Sequence, residues 1–334
     1  MMRKTLSLAH PTPPPVATLA ICLVMLIPST LTLGGCHRYP GLMRWYQHST
    51  RVTEPMRYAI SDLSWSPNGR WLAMVRWDAV NIPSGPLLAL DLHSGRIHPI
   101  AYSPGEVYSL PSWSPESDAL LFSVSSAGIW TAPIEGGQSQ PLSAGNVAAW
   151  NPVGSQIVVA SWIQTRPSDA AAVVSLVDWD GSHIASSELA RAPYLSVDGI
   201  TWSPDGDTIV VVLSGSDDME TPGELALYAL GADLAGIREL YRGSGFAMIG
   251  WIGSDRLLLR VFNRTLDHFA VRFRALSLTG ECREFEIAEG PMGAARLSPD
   301  ATGIAFVGSD GAVYVLRVED VLGPGGWDGG APCD

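Results

Sequence analysis

Residues 201–212 contain Thr201-Trp202-Ser203-Pro204-Asp205-Gly206 followed by Thr208-Ile209-Val210-Val211-Val212. Ser-Pro-Asp-Gly is turn chemistry: the serine caps, proline presets φ at the second position, and glycine relieves the exit. A short strand ending in Trp202 precedes the turn, and a nearly unbroken apolar strand follows it, so the unit is a hairpin. Such a run has no polar face, which places both of its sides against other protein.

The phrase recurs along the chain. It begins at Trp65-Ser66-Pro67-Asn68-Gly69, Trp113-Ser114-Pro115 and Trp150-Asn151-Pro152-Val153-Gly154. Trp251-Ile252-Gly253 has lost the Ser-Pro, and Leu297-Ser298-Pro299-Asp300 has leucine in place of tryptophan. From Trp65 to Leu297 the mean spacing is roughly 46 residues, a blade-sized period. Two further β-like stretches follow each hairpin, as in 87–92 and 96–100. Six repeats of four strands predict an all-β, six-bladed β-propeller, with Trp65, Trp113, Trp150, Trp202, Trp251 and Leu297 wedged between adjacent blades. The last repeat ends without a fourth strand. Residues 51–58 match the fourth-strand phrases elsewhere and are expected to complete blade six and close the ring.

The Trp-Ser-Pro-Asp-Gly hairpin is similar to the repeat of TolB-type (WD-like) propellers over about residues 51–320. True TolB proteins also carry an α/β domain ahead of the propeller, and the stretch between Cys36 and the closing strand is too short for one. The resemblance implies a secreted scaffold whose loops contact a protein or a small ligand, without the Tol-system role.

The amino terminus reads as an export signal over residues 1–35. Arg3 and Lys4 form a basic start, Val16 to Ile27 an apolar core, and Leu33-Gly34-Gly35-Cys36 a cleavage motif. That motif resembles the lipobox of bacterial lipoproteins, with Cys36 as the lipidated first mature residue. An uncleaved membrane anchor is the competing reading, but Pro28-Ser29-Thr30 cut the run below the ~20 residues a span needs. Either way the expected location is extracytoplasmic, tethered to a bacterial cell or outer membrane, with residues 36–50 a linker and 321–334 a flexible Gly/Pro-rich tail.

Thirty-three acidic residues against 21 basic ones give a net charge of −12 over 334 residues, which argues against a nucleic-acid partner. Of the four cysteines only Cys282 and Cys333 remain after the signal and the lipid site, either as a bridge or as two separate thiols. No zinc spacing exists, and none of the mature histidines falls on a predicted inner strand, so neither metal nor cofactor is expected. A Gly-x-Ser-x-Gly elbow is absent.

Binding is therefore assigned to loops. Those between second and third strands share one face with those joining a fourth strand to the next blade. This face is expected to carry Trp77, Tyr102, Tyr108, Trp162, Arg166, Arg191, Tyr194, Asp198, Arg242, Phe246, Met248 and Arg264, aromatic and arginine anchors for a protein or cell-wall partner. Alternatives are a propeller hydrolase or lyase working at the channel mouth, and a sensor or accessory subunit of an envelope complex.

Overall fold

The computed structural model describes residues 46–333 apart from 57, 78–84, 126, 167–168, 193, 217–223, 244, 265–268, 288–292 and 323–324. The signal, the lipobox and Cys36 lie outside these residues. Strand β1 (Ser49–Arg51) precedes blade one, which comprises β2 (Ala59–Trp65), β3 (Trp71–Trp77), β4 (Leu87–Asp91) and β5 (Ile97–Ala101). Blade two is β6 (Tyr108–Trp113), β7 (Ala119–Val124), β8 (Gly128–Pro133) and β9 (Gln140–Ser143). Blade three is β10 (Val147–Trp150), β11 (Ile157–Arg166), β12 (Asp169–Val177) and β13 (His183–Ala192). Blade four is β14 (Tyr194–Trp202), β15 (Thr208–Ser216), β16 (Glu224–Gly231) and β17 (Arg238–Gly243). Blade five contains β18 (Phe246–Ile252), β19 (Arg256–Arg264), β20 (Phe269–Ser277) and β21 (Cys282–Ile287). Blade six contains β22 (Ala295–Leu297), β23 (Gly303–Val307) and β24 (Val313–Arg317), and the chain then forms the short helix α1 (Val318–Leu322). A 3-10 turn (Gly326–Asp328) and β25 (Ala331–Pro332) end it.

Each blade is an antiparallel sheet in chain order, and β1 supplies the fourth strand of blade six. The apolar second strands are buried on both sides. Val158 and Ala160 of β11 pack toward blade four, whereas Ile157 and Val159 pack toward blade two. The alternation of side chains across a strand thus feeds two cores at once.

The Ser-Pro turns share one device. The Ser66, Ser203 and Ser298 hydroxyls accept from the backbone N–H five residues on, at 2.8, 2.9 and 2.8 Å. Each hydroxyl also donates to the Asn or Asp two residues on. The exit residue is left-handed, with φ +68° at Gly69 and +76° at Gly206, and Ala301 takes +57°.

The repeated tryptophans stitch neighbouring blades. The indole N–H of Trp113 donates to Ser64 O at 3.0 Å, and that of Trp202 donates to Ala149 O at 3.2 Å. Trp65 reaches Arg296 O at 3.2 Å and Trp251 reaches Thr201 Oγ1 at 3.3 Å. In every case the acceptor belongs to the residue just before the preceding blade's Trp or Leu. Trp150 breaks the series, since its buried Nε1 has no acceptor among the described residues. Leu297 offers no donor and packs against Gly250, where an added Cβ would sit 2.8 Å from the leucine Cβ.

Two expectations need correction. The closing strand is Ser49–Arg51, pairing with Leu316 to Tyr314, so it overlaps the expected 51–58 segment only at Arg51. Residues beyond it still clasp blade six, because Val52 N–H donates to Val313 O and Val313 N–H donates to the buried Thr53 Oγ1, both at 2.9 Å. The tail expected to be loose is docked. β25 pairs with β21, Trp327 is buried, and Cys282 and Cys333 form a disulfide with their Cα atoms 5.4 Å apart.

Candidate binding face

Strand length makes the long-loop face uneven. The second strands of blades three, four and five run 10, 9 and 9 residues, against 7, 6 and 5 in blades one, two and six. Four extra residues raise a hairpin by about 13 Å. Blades three to five thus stand above blades two and six, while the tip of blade one's hairpin lies outside the described residues.

Exposed apolar groups sit on this relief. Trp162 and Ile163 are consecutive on the raised part of β11 and 39% and 49% exposed, so they point to opposite sides of the hairpin. Beside blade one Tyr102 is 60% exposed, and the Arg76 guanidinium lies 4.6 Å from the centroid of the exposed Tyr58 ring. That stacking is a cation–π pair. Asp198 is exposed and accepts from Ser196 Oγ at 2.9 Å. Trp77 is half-buried against the seam between blades one and two.

Other expected anchors are engaged elsewhere. Tyr108 and Phe246 are buried between blades, Tyr108 edge-on to Phe122 and Phe246 edge-on to Tyr241. They belong to the core because they begin inner strands rather than end loops. Met248 is half-buried in the seam between blades four and five. Arg191 binds Glu188 through Nη2 at 2.7 Å and Asp169 through Nη1 at 3.1 Å, and these carboxylates raise its already high pKa. Arg242 is held by Glu239 at 2.5 Å and by the Tyr228 hydroxyl at 3.2 Å. Both arginines staple outer strands instead of standing free. The side chains of Arg166, Tyr194 and Arg264 lie outside the described residues.

The inner strands also hold a charged group that their small, mostly uncharged composition concealed. Asp62, buried on β2, accepts from Leu63 N–H at 2.9 Å, from Leu110 N–H of blade two at 3.0 Å, and from Arg296 Nη2 of blade six at 2.6 Å. One carboxylate thereby ties three blades. Arg260 is buried nearby, donates to Gly293 O at 2.7 Å, and has its pKa pushed down to about 10 by burial and by Arg296. The pair Asp62–Arg296 spans 234 positions of sequence, so no local pattern announces it.

Among the described residues no cluster of three His, Cys, Asp or Glu side chains could hold a metal ion. No described helix is long and apolar enough to cross a membrane. A shallow depression of about 340 Å³ lies off this face, beside the outer turn of blade four, lined by Thr208, Gly231, Asp233 and Arg238.

No family model matches the chain, and no curated protein matches it in sequence. Solved structures do resemble it. U3-55K aligns at a TM-score of 0.53 and 10% identity, covering 81% of this chain and 98% of that one. The oligogalacturonate lyase of Vibrio parahaemolyticus aligns at 0.50 and 10%, covering 81% and 93%. The β-propeller domain of Myceliophteria thermophila Cps50 (Swd1) aligns at 0.50 and 12%, covering 81% and 99%. Likeness at that identity concerns the backbone alone. The chain is an all-β propeller of six four-stranded blades, its ring closed by its own N-terminal strand.

Proposed function

We propose that this chain is a lipid-anchored, extracytoplasmic propeller of the TolB-like repeat type, a scaffold that takes a protein or cell-wall partner on its long-loop face. The carrying observation is the long hairpin of blade three, which exposes Trp162 and Ile163 to solvent. Large apolar side chains on a rigid strand are costly to leave in water and are the usual anchors of an interface. Blade one, with Tyr102 and the Tyr58–Arg76 stack, offers a second strip of the same chemistry. Net charge −12 favours a partner other than nucleic acid. The Cys282–Cys333 bridge suits an oxidising compartment, as export through the Leu33-Gly34-Gly35-Cys36 motif requires. A scaffold is preferred to a hydrolase or lyase because Asp62, a buried carboxylate of the inner strands, already accepts from two backbone amides and Arg296.

The test places a photo-crosslinking residue at Trp162 in the full chain, with Trp179 on the opposite face as control, in intact cells. The expected result is a discrete adduct from position 162 that position 179 does not give. No adduct at 162, or the same adducts from both positions, rejects the assigned face. Cys36→Ser in the same cells should block acylation and membrane fractionation; unchanged processing rejects the anchor.

A further inference from the structure

The seam between blades five and six has leucine in the repeat position, where the other five have tryptophan. Its first strands meet through Leu297 against Gly250, with no indole at that place to donate across the seam. The C-terminal segment crosses this seam from outside. It leaves blade six at Arg317, turns through α1, and lays β25 beside β21 of blade five. Trp327 is buried in the core shared by Leu258, Phe273 and Phe285 of blade five with Leu297 and Phe306 of blade six. Its ring meets Phe285 edge-on at 5.5 Å, and its Nε1 donates to Ala301 O of blade six at 3.1 Å. An indole from the tail therefore supplies a stitch where the repeat itself has none.

Among the described residues the far end of the strap is held by the disulfide and a small set of polar contacts. β25 pairs two residues with β21, Arg283 donates to Gly330 O at 3.2 Å, and Cys333 N–H donates to Cys282 O at 3.3 Å. Arg256 binds Asp328 at 2.7 Å, but Asp328 is 81% exposed and such a pair contributes little. Ring closure does not use the strap, because β1 and Thr53 pair with β24 on the far side of blade six. Cys282 and Cys333 are only half-buried, within reach of an attacking thiolate.

We propose that the C-terminal segment is a thiol-labile clasp on the five–six seam, opened by reduction of Cys282–Cys333 while the six-bladed ring stays folded. The reductant is a dithiol. Its thiolate attacks one sulfur to give a mixed disulfide, and its second thiol then displaces the protein sulfur. Two electrons and two protons pass to Cys282 and Cys333, leaving the dithiol as a cyclic disulfide. Opening lifts Trp327 off Phe285 and bares the β21 edge.

The experiment is hydrogen exchange on the full chain, oxidised, reduced with dithiothreitol, and reoxidised, with free thiols counted at each stage. Expected is a fall in protection of roughly tenfold or more for amides of 326–333, with β3, β11 and β23 unchanged and the effect reversed on reoxidation. Cys333→Ser should show the same open tail without reductant. A tail still protected once both thiols are free overturns the proposal, as does a wild-type-like tail in Cys333→Ser. Loss of protection in β23 and β24 together with the tail also overturns it, since the bridge would then be a staple of the whole ring.

Discussion

Asp62→Ala tests whether the inner strands are locked electrostatically. The substitution removes an acceptor from Leu110 N–H, Leu63 N–H and Arg296 Nη2. A buried donor left unsatisfied costs about 1–3 kcal/mol. Arg296 keeps 28% of its side chain in solvent, so its stranded charge is partly hydrated and adds about 1 kcal/mol rather than the full cost of a broken buried pair. Leu110 holds φ +51°, a strained value for leucine that the Asp62 bond helps secure. The expected loss is about 3 kcal/mol, or roughly 5 °C in Tm for a domain of this size. Urea unfolding of wild type, Asp62→Ala, Arg296→Ala and the double variant measures it, and the cycle should give a coupling of about 1–2 kcal/mol. A loss under about 1 kcal/mol, or additive single variants, would show that the three donors find water instead, and the ring-lock reasoning would fail.

Thr53→Val keeps the shape of the closing segment but strands Val313 N–H, so it should cost about 1–2 kcal/mol in the same unfolding assay. Gly69→Ala and Gly206→Ala both force alanine into left-handed backbone; the first meets open space and should cost about 1 kcal/mol. Gly206→Ala also drives its Cβ into Val153 and Asn151, and calorimetry should show a clearly larger loss. Acid should destabilise the ring through Asp91, Asp205 and Asp300. Their carboxyls are held below the usual range by hydrogen bonds from Arg70, Ser203 and Ser298 respectively. With folded pKa values below the unfolded ~3.9, the unfolded chain binds more protons. The stabilisation is full above about pH 5 and is lost as pH falls through the depressed values. Asp91→Asn should flatten the acid limb of a Tm–pH curve; an unchanged limb assigns it to other groups.

What could be read in advance followed from repetition. The Ser-Pro turn fixes a hairpin locally, and an apolar run buried on both sides requires neighbours, so blade number and strand order emerge without long-range knowledge. The closing strand was displaced because Ser49-Thr50-Arg51 is too short and too polar to carry a pattern, whereas the more distinctive 51–58 phrase mimics an outer strand. Tyr108 and Phe246 looked like loop anchors because inner strands start with the same aromatics that loops display; only packing distinguishes them. The tail's glycines and prolines suggested looseness, and neither Trp327 nor Cys333 reveals from sequence which blade it will meet. Of the anticipated face, Tyr102 and Trp162 are in solvent, while Arg191 and Arg242 are occupied by carboxylates that lie on or beside their own strands.

The four indole bonds all run the same way, each ring reaching back toward the sheet that precedes it. The circle consequently has a sense of rotation. Deleting one ring robs the carbonyl or hydroxyl behind it and leaves the sheet ahead with its own donor intact. Injury at any of these four positions should therefore spread backward around the axis, toward the sheet whose acceptor has lost its donor.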